Sequence, residues 1–305
     1  MARMGKSLGL AVGVALTLGQ VMAADPLRVA SKVDTEGALL GNMLIALLED
    51  AGYPVENKLQ LGPTNIVRTA LLEGEIDLYP EYTGNGAFFS NTTDDKAWKD
   101  AEAGYRKVRD WDREKNGIVW LEPAPANNTW AIAVKQSLAE KNDLSSMADF
   151  SQWVNDGGGV KLAASAEFVE SQAALPSFQE AYGFTLSQDQ LLVLSGGNTA
   201  ATIRAAAEGT SGTNAAMVYG TDGAIKPAGL KVMEDTQGVQ MVYEPTVAMR
   251  EQVLEANPQL PELFEPVLAS LDRETLQELN SKIQVDGLPA KQVARDYLEA
   301  NGFLD

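Results

Sequence analysis

The stretch LRVASKVDTEGALLGNMLIALLEDAG, residues 27–52, decides the fold class. Leu27 to Ser31 is a short β-rich run, and Thr35 to Ala51 carries apolar residues at helical spacing before Gly52 stops it. This is a strand followed by a helix, and the alternation continues down the chain. Val55 to Leu61 reads as extended and Asn65 to Glu73 as a helix ended by Gly74. Ile76 to Tyr79 reads as a strand that stops at Pro80. Asp94 to Lys115 is polar and charge-rich, the pattern of an exposed helix, and Gly117 to Leu121 a buried strand. Trp130–Val134, Val160–Ala164, Leu191–Leu194, Ala215–Tyr219 and Leu230–Met233 are strand-like, and from Glu251 onward the pattern is largely helical, punctuated by Pro258, Pro261 and Pro266. Alternating strands and helices predict an α/β fold with mainly parallel sheets covered on both faces. Pro123 to Asn128 and Gln237 to Glu244 read as two crossings between lobes. The expected layout is therefore a discontinuous lobe, 24–127 plus 242–305, and an inserted lobe, 128–241, with a ligand cleft between them.

Composition removes whole classes of chemistry. The 305 residues include no cysteine and no histidine. A disulfide framework, a cysteine nucleophile, a Ser-His-Asp relay and a thiolate or imidazole zinc site are therefore excluded. Lys and Arg number 24 against 42 Asp and Glu, a formal net charge of -18. That balance argues against nucleic acid, whose phosphates draw affinity from clustered cations, and against docking on anionic lipid. At the amino end Arg3 and Lys6 precede an apolar run from Leu8 to Leu18, followed by Val21-Met22-Ala23. Charged, apolar and small-residue regions in that order predict a cleaved secretory leader over residues 1–23. The apolar run is too short to span a bilayer, so no direct membrane insertion is expected and the processed chain is expected in the periplasm.

GEIDLYPEYTGNG, Gly74 to Gly86, concentrates two tyrosines, internal acids and a Pro-containing turn at the end of a strand, where ligands sit in open α/β sheets. Asp77 and Glu81 offer an acid/base pair of the glycosidase kind, which leaves an exported carboxylate-dependent hydrolase as a rival reading. Gly84-Asn85-Gly86 is too little for a dinucleotide fingerprint, Gly157 to Gly159 and Gly196-Gly197 read as loops, and no Walker-type GKS or GKT occurs. No cofactor is expected.

Five collinear blocks carry a resemblance. SKVDTEGALLGNML (31–44), LGPTNIVRTALLEGEIDLYPEYTGN (61–85), NNTWAIAV (127–134), MVYGTDGAI (217–225) and YEPTVAMR (243–250) are similar to the osmoprotectant-binding proteins of ABC importers, periplasmic receptors for glycine betaine, choline and related quaternary ammonium compounds, and in particular to their osmotically induced branch. The resemblance implies a two-lobed periplasmic binding protein of type II-like layout. It also implies a small osmolyte as ligand, membrane permease subunits as partners, a monomer, and no catalysis. A receptor presenting ligand to a membrane sensor is the other non-enzymatic reading.

The implied site obeys simple physics. A quaternary ammonium has no N–H to donate and a permanent charge inside a methyl skin, so aromatic faces rather than hydrogen bonds must grip it. The resemblance places such a cage at Tyr82, Trp130, Tyr219 and Tyr243, all aromatic here. Four desolvated rings at about 2 kcal/mol each total about 8 kcal/mol, comparable to a micromolar Kd before entropic costs. For the ligand's carboxylate the resemblance implies Lys32, a threonine where Asn85 stands, and an arginine where Ser171 stands; an acid that some members carry is Asn128 here. Losing a charged hydrogen bond of about 1.5 to 3 kcal/mol predicts weak betaine binding or preference for another osmolyte, with the Asn85 amide as a partial substitute donor.

Overall fold

The computed structural model describes Met1, residues 25–194 and residues 199–304. The leader expected over 1–23, apart from Met1, and Gly196-Gly197 lie outside the described residues. Among the described residues ten strands form two five-stranded sheets. They are β1 (Leu27–Lys32), β2 (Val55–Gly62), β3 (Leu78–Tyr82), β4 (Ile118–Trp120), β5 (Trp130–Lys135), β6 (Leu162–Ser165), β7 (Leu191–Leu194), β8 (Ala215–Tyr219), β9 (Leu230–Val232) and β10 (Pro245–Arg250). The first sheet has the order β2-β1-β3-β10-β4 and the second β7-β6-β8-β5-β9. Each is covered on both faces, giving a two-lobed α/β fold. The helix Thr35–Asp50 lays Leu39, Leu40, Met43, Leu44 and Leu47 on one face of the first sheet, joined by Phe264, Leu276 and Leu298 from the C-terminal helices. Val67, Leu71, Tyr79, Trp98 and Trp120 fill the other. In the second sheet Ile132, Phe150, Phe168 and Phe178 pack one side and Ile203, Ala206 and Ile225 the other.

The expectation of mainly parallel sheets needs correction. β1 runs parallel to β2 and β3, and β6 to β7 and β8, but β10 is antiparallel to β3 and β4, and β5 is antiparallel to β8 and β9. The reversed strands are those that begin each re-entry into a sheet. A chain arriving from the gap between the sheets starts its strand at the end where its neighbours finish, so it must run against them. The connections 121–129 and 233–244 that carry it lie side by side: Asn128 N–H donates to Tyr243 O at 2.9 Å, and Tyr243 N–H to Asn127 Oδ1 at 2.9 Å.

Two local readings also change. β3 does not stop at Pro80 but continues to Tyr82. Thr83 N–H donates to Glu244 O, so by the two-residue alternation of a strand the Pro80 nitrogen points to the β1 side, where pairing ends at Leu78. The missing donor costs nothing there. The segment 94–115 is divided at Asp100, which caps the helix Ala101–Asn116 by accepting from Ala103 N at 2.8 Å. It is also not exposed all round: Trp98, Tyr105 and Val108 are buried, and Asp112 pairs with Arg68.

Candidate functional site

Strand register brings the aromatic residues together. Trp130 opens β5 directly opposite Tyr219, the last residue of β8, and their rings stack with centroids 6.4 Å apart at 19°. Phe168 meets Trp130 edge-on at 5.9 Å and fixes its orientation from behind. Tyr243 comes from the second connection, two residues before Pro245, which pairs with Tyr82. Gly84 is required beside it, since a Cβ at that position would lie 2.7 Å from the Tyr243 ring.

A cavity of about 790 Å³ is walled by Trp130, Tyr219 and Tyr243, with Asn128, Ser171 and Glu167 among its lining. A second, of about 460 Å³, shares Asn128, Tyr219 and Tyr243 with the first and is lined further by Lys32, Tyr82, Asn85, Glu36 and Asp222. All eight residues singled out from the sequence thus line two adjoining hollows. Their contacts differ from one hollow to the other. Tyr82 is on the wall of the smaller hollow only, buried, with its hydroxyl donating to Glu36 Oε1 at 2.7 Å. Lys32 and Asn85, expected to face a ligand carboxylate, both donate to Glu81 Oε1 at 2.7 Å. Ser171 is on the larger hollow, at the C-terminal end of the short helix Ala166–Glu170. Asn128 Nδ2 lies 3.3 Å from Glu36 Oε1, and its Oδ1 is buried without a donor.

Glu36 was not among the residues picked out, and it is the hub of the smaller hollow. Only 4% exposed, its carboxyl receives Tyr82, Asn128 and, on Oε2, Asn280 Nδ2 at 2.7 Å. Burial raises its pKa, and the hydroxyls of Thr221 and Tyr82 and the Asn280 amide oppose the rise. A signal for it exists in the sequence: Glu36, Leu40, Met43 and Leu47 share one helical face, so an acid stands in an apolar stripe. Asp222, just after β8, accepts the Tyr219 N–H at 2.8 Å, and burial pushes its pKa up to about 6. Burial also lifts the Tyr243 hydroxyl to about 12. The tyrosines of the wall are therefore neutral phenols at ordinary pH.

The acid/base pair dissolves on inspection. Asp77 is held at the start of β3 by Arg28 at 2.7 Å and Arg250 at 3.3 Å, whereas Glu81 is at the other end beside Lys32. Four residues of extended chain put their backbones roughly 13 Å apart, and each carboxylate is engaged by its own cations, so the two do not face one another as a pair.

The chain is similar to known proteins along nearly its whole length. Residues 25–300 match the family described as the substrate binding domain of ABC-type glycine betaine transport system. The chain is 56% identical over 297 residues to the glycine betaine-binding protein YehZ of Escherichia coli strain K12, covering 97% of this chain and 96% of that one. It is 31% identical over 313 residues to a glycine-betaine-binding protein of Pseudomonas aeruginosa, covering 100% and 97%. The solved structure of apo YehZ superposes with a TM-score of 0.88 at 57% identity, over 92% of this chain and 100% of that chain. Two sheets joined by paired connections, an aromatic-walled hollow between them and this match along the chain lead to one assignment: the protein belongs to the substrate-binding proteins of ABC-type glycine betaine transport systems.

Proposed function

We propose that the chain captures a quaternary ammonium osmoprotectant, glycine betaine, choline or a relative, between its lobes and delivers it to a membrane permease. The lobes are residues 24–127 with 242–305 and residues 128–241, and they close by rotation about the paired connections. Trp130, Tyr219 and Tyr243 grip the methylated head, Asn128 and Ser171 contact the rest of the ligand, and Tyr82, Lys32 and Asn85 form the floor of the smaller hollow. The protein works as a monomer in the periplasm and catalyses nothing. Among the described residues no helix is long and apolar enough to cross a membrane, which suits a partner that docks rather than inserts.

The observation that carries this reading is the stacked Trp130–Tyr219 pair sharing one cavity wall with Tyr243. A cation over a desolvated ring gains about 2 kcal/mol or more, and three rings on one hollow offer that several times over. The relatives' glycine betaine names point to the same chemistry. Calorimetric titration of residues 24–305 with glycine betaine, choline, proline betaine and a neutral amino acid tests it. The methylammonium compounds bind with one-to-one stoichiometry and the neutral amino acid does not. Trp130→Ala abolishes the binding; full affinity in that variant removes Trp130 from the site.

A further inference from the structure

The fourth aromatic face is already occupied by the protein itself. The Lys32 ammonium lies 4.0 Å from the centroid of the Tyr82 ring and 2.7 Å from Glu81 Oε1. Neither charge is solvated: Lys32 is 7% exposed and Glu81 0%. Glu81 is also saturated, since Oε1 accepts from Lys32, from Asn85 Nδ2 and from Tyr82 N–H at 2.8 Å, and Oε2 accepts from the Tyr79 hydroxyl at 2.9 Å. The Tyr82 ring is pinned in turn by its hydroxyl on Glu36. A buried cation with a buried counter-ion does not leave readily, because its release strands the carboxylate.

We propose that Lys32 is an internal competitor for the ligand's ammonium group and not an anchor for its carboxylate. It satisfies the Tyr82 face with the protein's own cation, leaves a three-ring site, and so sets the affinity for every methylammonium ligand alike. The inference rests on the aromatic-cage function given above. It differs from the carboxylate-anchor role in a way that can be measured, because an anchor discriminates between glycine betaine and choline and a competitor does not.

The test is titration of wild type and the double variant Lys32→Met with Glu81→Gln. Removing both charges avoids stranding Glu81 in the interior, and a thermal melt checks that the variant is folded. The expected result is that choline and glycine betaine both bind roughly five- to thirty-fold more tightly, as one freed ring provides. Adding Tyr82→Leu to the double variant, also checked by its melt, provides the second arm and should abolish the gain for both ligands, because the freed ring is its source; a gain that survives the loss of the ring overturns the proposal. Weakened betaine binding with unchanged choline binding in the double variant makes Lys32 a carboxylate anchor and overturns the proposal, as does no change with either ligand. If wild type binds neither compound, the cage function falls and this inference falls with it. If wild type binds and only the double-variant expectation fails, the cage function stands.

Discussion

Burial holds the Asp222 carboxyl at about 6 while its Oδ2 accepts the Tyr219 N–H and closes the turn that carries the ring. A folded-state pKa above the unfolded value means that the native state binds the proton more tightly. The resulting contribution to stability is full below about pH 4 and is lost as pH rises through about 6. Asp222→Asn keeps an acceptor for Tyr219 N–H and removes the charge. We expect the variant to match wild type in urea denaturation at pH 4 and to exceed it by on the order of 1 to 3 kcal/mol at pH 7.5. Asp222 lines the smaller hollow, which shares Tyr219 and Tyr243 with the one proposed to take the ligand's cation, so choline binding at pH 7.5 should weaken a few-fold in the variant. Stability and capture therefore pull in opposite directions at this position, as is common at binding sites. Parallel pH profiles for the two proteins rule out a titrating Asp222 as the source.

At the scale of elements, the loop after β8 is docked on the helix Arg273–Gln284, which itself packs with the first sheet's core. Gln277 Nε2 donates to Gly220 O at 2.8 Å, and Asn280 Nδ2 to Thr221 O at 3.0 Å. The approach is so close that a Cβ on Gly223 would lie 2.2 Å from Ser281 N. Gly223→Ala therefore pushes the loop off the helix. It should lower Tm by several degrees and weaken ligand binding through displacement of Tyr219, whereas Gly159→Ala, where a Cβ meets nothing within 4 Å, should do neither. A melt and a titration of both variants decide between a docked and an idle loop. Such contacts mark the limit of what the chain discloses by itself. β1 and its helix were readable because Leu27 to Gly52 encodes them locally, through period and the Gly52 stop; the Asp34 cap that the structure adds is just as local. The aromatic residues were readable through the resemblance, and their cross-strand pairing only through the register of β5 on β8. The Lys32–Glu81 pair was not readable, since it joins residues 49 apart and depends on β1 lying next to β3. The antiparallel entry strands were missed for a similar reason: strand direction follows from where the chain re-enters a lobe, which no local pattern records.

Across the whole molecule, the proposed capture has two physical components, a long-range field from the net charge and a short-range closure about the paired connections. The chain carries a formal charge of -18, and the linings of the two hollows include Asp34, Glu36, Asp94, Asp95, Glu167 and Asp222 against Lys96, Lys99 and a Lys32 that Glu81 neutralises. A field of that sign draws in a cation from beyond contact range. It exerts little net pull on a zwitterion, whose two charges respond oppositely. Salt shortens the reach of the field, from about 30 Å at 0.01 M to roughly 3 Å at 1 M. Closure as proposed above would rotate two bodies whose connections are hydrogen-bonded to each other through Asn127, Asn128 and Tyr243, short contacts that salt leaves largely untouched. Stopped-flow tryptophan fluorescence, reporting from Trp130 in the wall, separates the two. The association rate for choline should fall several-fold between about 10 mM and 500 mM NaCl, while that for glycine betaine changes less than about twofold and both dissociation rates stay nearly constant. Equal salt dependence for the two ligands means that local contacts and not the molecule's overall charge control capture, and a salt-dependent dissociation rate places the charge effect in the closed state.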